Sequence, residues 1–405
     1  MSAIAEATHS GEVTLLDHLG EGDYRATRSV ADRPLKSADI DGLVARAKAA
    51  VTDRGLLLPD SDAIVERAVV ALLTGHLILE GPPGTGKSTL AGALAEAFDC
   101  TYLVETATAD WSTYDVIGGL QPSISEQDGG AEVLKPWLGH VPRAAVRCAD
   151  VIAQNEDDGE EEPHQAHWLV IDEFNRADID KAIGSLYTVL GGGGGEDGRR
   201  LPLWFGDAPE RQECWIPDRF RIVGTLNSID TAYVFTLSQG LQRRFQFVHV
   251  GVPSQSQARE EIANAARQAL RWRLRTYGPR AGEGASVEEA EALASRDPLV
   301  GALETLADLV EFLRYDEQTS WPLGTAQIVD VLRHVVLQSG EGEDAQALKP
   351  ALDLALSDRV VPQMSGLLRS QLDATETKLE NDFAVLKRTL AALRRVRRAQ
   401  QTSFS

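Results

Sequence analysis

Gly81-Pro82-Pro83-Gly84-Thr85-Gly86-Lys87-Ser88-Thr89 is the stretch on which the reading of this chain turns. It satisfies every fixed position of the phosphate-binding loop pattern G-x-x-x-x-G-K-[ST]. Leu77-Ile78-Leu79 ahead of it is an apolar run suited to a buried strand, and Thr89 to Phe98 (TLAGALAEAF) has helical spacing and good helix formers. Glycines at 81, 84 and 86 let the backbone turn so that successive N–H groups face an anion. The following helix adds its positive N-terminal end. In such a loop Lys87 reaches the β- and γ-phosphates, and the Ser88 hydroxyl ligands Mg²⁺. A glycine-rich turn matching by chance would need neither strand before nor helix after. Residues 81–89 are therefore expected to bind a nucleoside triphosphate.

Working outward, 405 residues exceed one ordinary domain, and a hydrophobic content of 43% supplies a core of soluble type. No apolar run reaches membrane-spanning length, and the acidic N-terminus lacks the basic-then-apolar order of a signal peptide. Cys100, Cys148 and Cys214 have neither zinc-ligand spacing nor an even count, and read as reduced thiols of a cytoplasmic protein. The net charge of −21 argues against broad nucleic-acid binding by the whole surface while allowing a local basic patch.

The sequence divides into a loosely ordered arm over 1–36, an α/β region over 37–252 and an almost wholly helical region over 253–405. Ser37–Val51 and Ser61–Leu73 read as helices opening on a serine. Strands are expected at 101–105, 167–171, 221–226 and 247–250, and helices at 142–153 and 179–190. Glycine- and turn-rich stretches at about 115–141 and 191–217 suggest inserted hairpins. The run Glu156–Glu162 (EDDGEEE) reads as a solvated loop.

Asp172-Glu173 closes the apolar strand HWLVI. A carboxylate there can hold Mg²⁺ at the end of a parallel sheet, where ligands sit, and a neighbouring Glu can deprotonate the attacking water. Asn227 ends the next apolar strand. It reads equally as a turn residue or as an amide that holds water or γ-phosphate. Arg243-Arg244 closes a short helix, where arginines suit the helix dipole, or else reaches a neighbouring subunit's nucleotide.

Taken in order, GPPGTGKST, LVIDEFNRADIDKAIGSLY, RIVGTLNSID and LQRRF resemble the AAA+ ATPases, most of all the branch of MoxR-type chaperone ATPases, McrB-type restriction motors and dynein-related modules. The resemblance spans roughly 55–340. It implies a P-loop NTPase αβα core with a parallel sheet, followed by an all-helical lid and further C-terminal helices. It implies ATP and Mg²⁺ as cofactors, with Lys87 and Ser88 on phosphate and metal and Asp172 supporting the metal. Glu173 would activate water, Asn227 would act as the first sensor, and Arg244, with Arg243 as rival, as the arginine finger. A homo-oligomeric, commonly hexameric ring acting on a protein client or adaptor is implied too, with nucleic acid reached only through a partner or a local basic patch, and no membrane. An McrB-like nucleic-acid motor and a nucleotide-gated scaffold are the alternatives; Asn227-Ser228-Ile229-Asp230 resembles an Asn-x-x-Asp form found in the former. One departure stands out. Where many relatives place a second sensor arginine, Thr325 and Gln327 stand here, with Arg333 the nearest arginine downstream.

Trp204, Phe205 and Trp215 in the second hairpin read first as cross-strand packing and second as substrate grips. Leu379, Phe383, Leu386, Leu390 and Leu393 form a packing stripe ahead of the basic Arg394-Arg395-Val396-Arg397-Arg398, which suits an acidic partner or the acidic surface of its own ring better than nucleic acid.

Overall fold

The computed structural model describes residues 25–36, 39–125, 131–157, 164–184, 186–191, 196–206, 212–228, 237–277, 297–338 and 345–402. Its contacts group into two units. The first comprises Met1–Arg54, Asp62–Glu80 and Lys87–His249. The second comprises Gly55–Ser61, Gly81–Gly86 and Val250–Ser405.

The first unit is built on five strands: β1 (His76–Gly81), β2 (Cys100–Thr106), β5 (Ala166–Asp172), β8 (Ile222–Asn227) and β9 (Phe245–His249), lying side by side in the order β2-β5-β8-β1-β9. β1 runs parallel to β9, β2 to β5, and β5 to β8. The inner strands are apolar along nearly their whole length because both faces of a parallel sheet are covered. Leu77, Ile78 and Leu79 of β1 and Trp168, Leu169 and Val170 of β5 are all fully buried. Edge strand β2 instead buries only Cys100 and from Thr101 onward alternates half-buried and exposed residues. His76 Nδ1 accepts the Ile222 N–H at 3.0 Å, and burial beside Arg221 lowers its pKa to about 3, so the ring joins β1 to β8 as a neutral acceptor.

The helices of this unit are α1 (Arg25–Ser29), α2 (Ile40–Asp53), α3 (Ser61–Thr74), α4 (Lys87–Ala97), α5 (Thr113–Val116), α6 (His140–Asp157), α7 (Ile179–Ile183), α8 (Leu186–Val189) and α9 (Gln239–Gln242). Alanines let α4 approach closely, and a Cβ at Gly92 would lie 2.6 Å from the Tyr102 hydroxyl of β2. Two antiparallel hairpins stand outside the main sheet. β3 (Gly118–Ser125) pairs with β4 (Ala131–Leu138), and β6 (Arg200–Pro202) pairs with β7 (Glu213–Trp215). In the second, Phe205 and Trp215 are buried, whereas Trp204 is 73% exposed with its ring edge-on to Phe205. All three cysteines are free and buried, and desolvation pushes the Cys148 and Cys214 thiols up to about 12.

Three expectations are corrected. Residues 25–36 do not form part of a loose arm. Thr27, Val30 and Ala31 are buried, and two arginines bind the segment's carbonyls: half-buried Arg199 to Ala31 at 2.6 Å and buried Arg219 Nε to Pro34 at 2.8 Å. The first long helix opens not at Ser37 but at Ile40, where the Asp39 carboxylate accepts the Asp41 and Gly42 N–H groups. The helix expected over 179–190 is broken into α7 and α8 at Gly184, whose φ of 38° is left-handed. Residues 1–24, most of the 156–162 acidic run, glycines 192–195 and Asp230 lie outside the described residues.

The second unit is helical: α10 (Ala258–Tyr277), α11 (Asp297–Tyr315), α12 (Thr325–Gln338), α13 (Ala345–Ala355), α14 (Arg369–Asp382) and α15 (Lys387–Thr402), with a π-turn (Leu356–Val360) running into a 3₁₀ segment (Val361–Gly366). Leu379, Phe383, Leu386 and Leu393 enter its core, as their spacing indicates. At its centre Arg314 and Glu261, both side chains fully buried, pair in a two-pronged bond, and the Thr325 hydroxyl donates to the same Glu261 carboxylate at 2.5 Å. Arg314 Nε also donates to the Leu323 carbonyl at 2.6 Å. This network fixes the start of α12. Among the described residues no helix is long and apolar enough to cross a membrane.

Candidate nucleotide site

Within the second unit, the loop 81–86 is shaped by close backbone approach. Gly84 and Gly86 have φ of 76° and 85°, and a Cβ at Gly81 would lie 2.0 Å from the Val250 carbonyl oxygen. Thr85, buried, donates its hydroxyl to the Pro82 carbonyl at 3.0 Å. Pro83 and Gly84 face α12: the Ala326 N–H donates to the Gly84 carbonyl at 3.0 Å, and a Cβ at Gly324 would lie 2.2 Å from the Pro83 oxygen. Gln327 comes with it, and its Oε1 is buried without a hydrogen-bond partner among the described residues. Arg333 is turned elsewhere, to Asp330 at 3.1 Å and over the Trp272 ring.

In the first unit, Lys87 and Ser88 open α4 directly after the loop. Lys87 is only 6% exposed, and desolvation lowers its pKa to about 8 although Asp172 and Glu173 both pull it upward. An ammonium so placed gains from an arriving anion. Ser88 and Thr89 are exposed. The Ser88 hydroxyl donates to Asp172 Oδ1 at 2.8 Å, which gathers two oxygen donors of the hard type Mg²⁺ prefers.

A residue that motif reading passed over completes this centre. Thr225 of β8, 2% exposed, donates its hydroxyl to Asp172 Oδ1 at 2.5 Å and accepts the Glu173 N–H at 3.0 Å. The β5–β8 register, with Ile171 opposite Gly224, brings Asp172 and Thr225 level. Its signal in the sequence was position alone: two residues before Asn227, hence on the same face of the strand. Glu173 is held at φ 54°, ψ 42°, an unusual conformation for a residue with a side chain, and its carboxylate pairs with Arg176. Asn227, half-exposed, ends β8, and its carbonyl accepts from Asn175 Nδ2 at 3.5 Å. The structure thus brings Lys87, Ser88, Asp172, Glu173 and Thr225 into one centre with Asn227 at its strand end.

Arg243 and Arg244 form a different locus. Arg244 is half-buried, donating to the Tyr187 carbonyl at 2.7 Å and the Gly240 carbonyl at 2.6 Å while its guanidinium lies 5.1 Å from the Tyr187 ring centre. Arg243 is exposed.

Residues 76–245 match the model of the AAA domain (dynein-related subfamily). The chain is 25% identical over 187 residues to the EcoKMcrB subunit of a type IV methyl-directed restriction enzyme of Escherichia coli strain K12, a match covering 43% of this chain and 35% of that protein. The chain therefore aligns with only about a third of that relative. A putative ATPase from Cytophaga hutchinsonii is similar at 14% identity and a TM-score of 0.36, with 84% of this chain and 95% of that one covered. A RuvB mutant from Thermotoga maritima is similar at 16% identity and a TM-score of 0.31, with 82% and 86% covered. The family match runs along the main sheet from β1 to the start of β9, takes in the Asp172–Thr225 centre and Asn227, and identifies residues 76–245 as an AAA domain of the dynein-related subfamily.

Proposed function

We propose that this protein is a Mg²⁺-dependent ATPase that works as a homo-oligomeric, hexameric ring in the cytoplasm and remodels protein partners. The observation that carries the reading is the Ser88–Asp172–Thr225 constellation, which ties the end of the phosphate loop to the acidic strand end by bonds of 2.8 and 2.5 Å. The backbone amides of 81–89 and the Lys87 ammonium cradle the β- and γ-phosphates. Ser88 and Asp172 would hold Mg²⁺, which supplies charge neutralisation across the phosphates. Glu173 accepts a proton from water as its oxygen bonds to the γ-phosphorus and the bond to the β–γ bridging oxygen breaks, leaving ADP and phosphate. Asn227 orients that water. The Arg243-Arg244 segment supplies the finger to a neighbouring subunit: the motif favours Arg244, and exposure favours Arg243 as its rival.

Glu173→Gln tests the reading: ATP binds with near-normal affinity while steady-state phosphate release falls by about a hundredfold or more. Equal loss of binding and turnover, or no loss of turnover, refutes it. The similarity to an McrB subunit favours a second reading, a nucleic-acid motor subunit. Hydrolysis of ATP and of GTP, each with and without duplex DNA, separates the two; stimulation by DNA and preference for GTP would favour the motor.

A further inference from the structure

The C-terminal helix α15 carries two classes of arginine. Arg394 Nε pairs with Glu376 at 2.8 Å, and its other arm with Glu380. Arg397 pairs with Asp373 at 3.0 Å and Glu376 at 2.6 Å. These contacts hold α15 to α14. Arg388, Arg395 and Arg398 are exposed, and among the described residues their side chains make no hydrogen bond or ion pair. In a chain with 61 acidic and 40 basic residues, three aligned guanidiniums without a carboxylate are unusual company. They line a cleft of about 580 Å³ together with Arg394 and, from the π-turn, Ser357 and Asp358.

We propose that this cleft binds an extended, carboxylate-rich segment of a protein partner. Positions 388, 395 and 398 fall seven and three residues apart, on one face of the helix, and their row rises about 15 Å at 1.5 Å per residue. The gaps along the row are about 10.5 and 4.5 Å. That unevenness suits a continuous acidic run in an extended peptide, whose alternate side chains share a face about 6.8 Å apart, better than three fixed acids. Each guanidinium offers a carboxylate two parallel N–H donors. A lone phosphate is too short for the row. Single-stranded nucleic acid takes much of its affinity from bases stacked on aromatic rings, and among the described residues none lines this cleft. The inference stands apart from the ATPase reading, since none of its residues belongs to the nucleotide centre.

The test uses the full-length protein and fluorescence anisotropy, with a labelled alternating Asp-Glu octapeptide, an uncharged octapeptide and an oligo-dT of matched charge as probes. The acidic peptide should bind, and binding should weaken as salt rises from about 50 to 200 mM. The combined Arg388→Gln, Arg395→Gln, Arg398→Gln variant should lose about tenfold or more in affinity. Arg359→Gln, an exposed arginine outside the cleft, should lose nothing, and unchanged thermal melting of both variants shows that the fold is kept. Peptide affinity untouched by the triple variant overturns the proposal. So does oligo-dT binding as tight as the peptide's and equally sensitive to the variant. Loss of self-association in the triple variant, with no peptide bound by the parent, would instead place a second copy in the cleft and also overturn it.

Discussion

Thr225→Val removes one oxygen from the centre and almost nothing else. The substitution keeps the β-branched shape, so packing at a site 2% exposed is preserved. Two bonds are lost: the donation to Asp172 Oδ1 at 2.5 Å and the acceptance of the Glu173 N–H at 3.0 Å. A hydrogen bond to a charged group contributes about 1.5–3 kcal/mol, and leaving the Glu173 amide unpaired adds about 1–3 kcal/mol where water cannot reach it. Partial solvation of the site and relaxation of Glu173 out of its left-handed conformation offset some of this. A net loss of about 2–3 kcal/mol is expected. The larger effect falls on turnover, because the amide bond to Thr225 helps aim the Glu173 carboxylate. Single-turnover ATP hydrolysis should slow by about ten- to a hundredfold, with nucleotide affinity changed far less. Thr225→Ser keeps the hydroxyl and should restore most of the rate. A Thr225→Val protein that hydrolyses ATP at the parent rate, or a Thr225→Ser protein as slow as Thr225→Val, refutes the reasoning.

Triphosphate binding at pH 8 should take up about half a proton, because an anion raises the Lys87 pKa from about 8 back toward its ordinary value; calorimetry in two buffers of different ionisation enthalpy reads this, and Lys87→Met should abolish it. The sign for the free protein follows from the same depression: burying the charged ammonium costs stability below pH 8, and that cost is relieved as pH rises from about 8 toward 10.5. Glu261→Gln leaves the buried Arg314 without its counter-charge and should cost about 3–5 kcal/mol, seen as faster amide exchange across α12; a cost below about 1 kcal/mol would mean the pair is solvated. Arg244→Ala should lower the melting temperature because two carbonyls lose their donor, whereas Arg243→Ala should not. Mixing each variant with Glu173→Gln subunits then shows which arginine a neighbouring site requires.

What the sequence reveals is set by how local the physics is. The inner strands were legible because burial on both faces makes Leu77–Leu79 and Trp168–Ile171 continuous apolar runs, and the loop because Gly84 and Gly86 need left-handed backbone that few other residues tolerate. The 25–36 segment was not legible, since its anchors are carbonyls claimed by Arg199 and Arg219, more than 160 residues away. Neither was the break at Gly184, across which the apolar pattern of 179–190 continues unbroken. Thr225 is the sharper case. A threonine inside a strand is ordinary by propensity, and only the register of β8 against β5 turns its hydroxyl into the link between Asp172 and Glu173.

The basic tail argues the same point from the opposite side. Composition marks Arg394 to Arg398 as one cluster, yet folding sorts it by face. Arg394 and Arg397 turn to the acids of α14 and are spent on structure, while Arg395 and Arg398 join Arg388, from outside the cluster, in a row that makes no ion pair among the described residues. Charge that a fold satisfies internally carries no message to a partner, so the informative quantity is the residue left over after pairing. By that measure the nucleotide centre and the arginine cleft are alike. Each presents cations to an anion within an acidic chain: Lys87, buried with its pKa lowered to about 8 beside Asp172 and Glu173, and the three arginines, whose side chains make no ion pair among the described residues although Asp358 lines the same cleft. Each is completed by an anion from outside, a triphosphate in one and a carboxylate row in the other, and each should therefore weaken with added salt in proportion to the number of charges it leaves open.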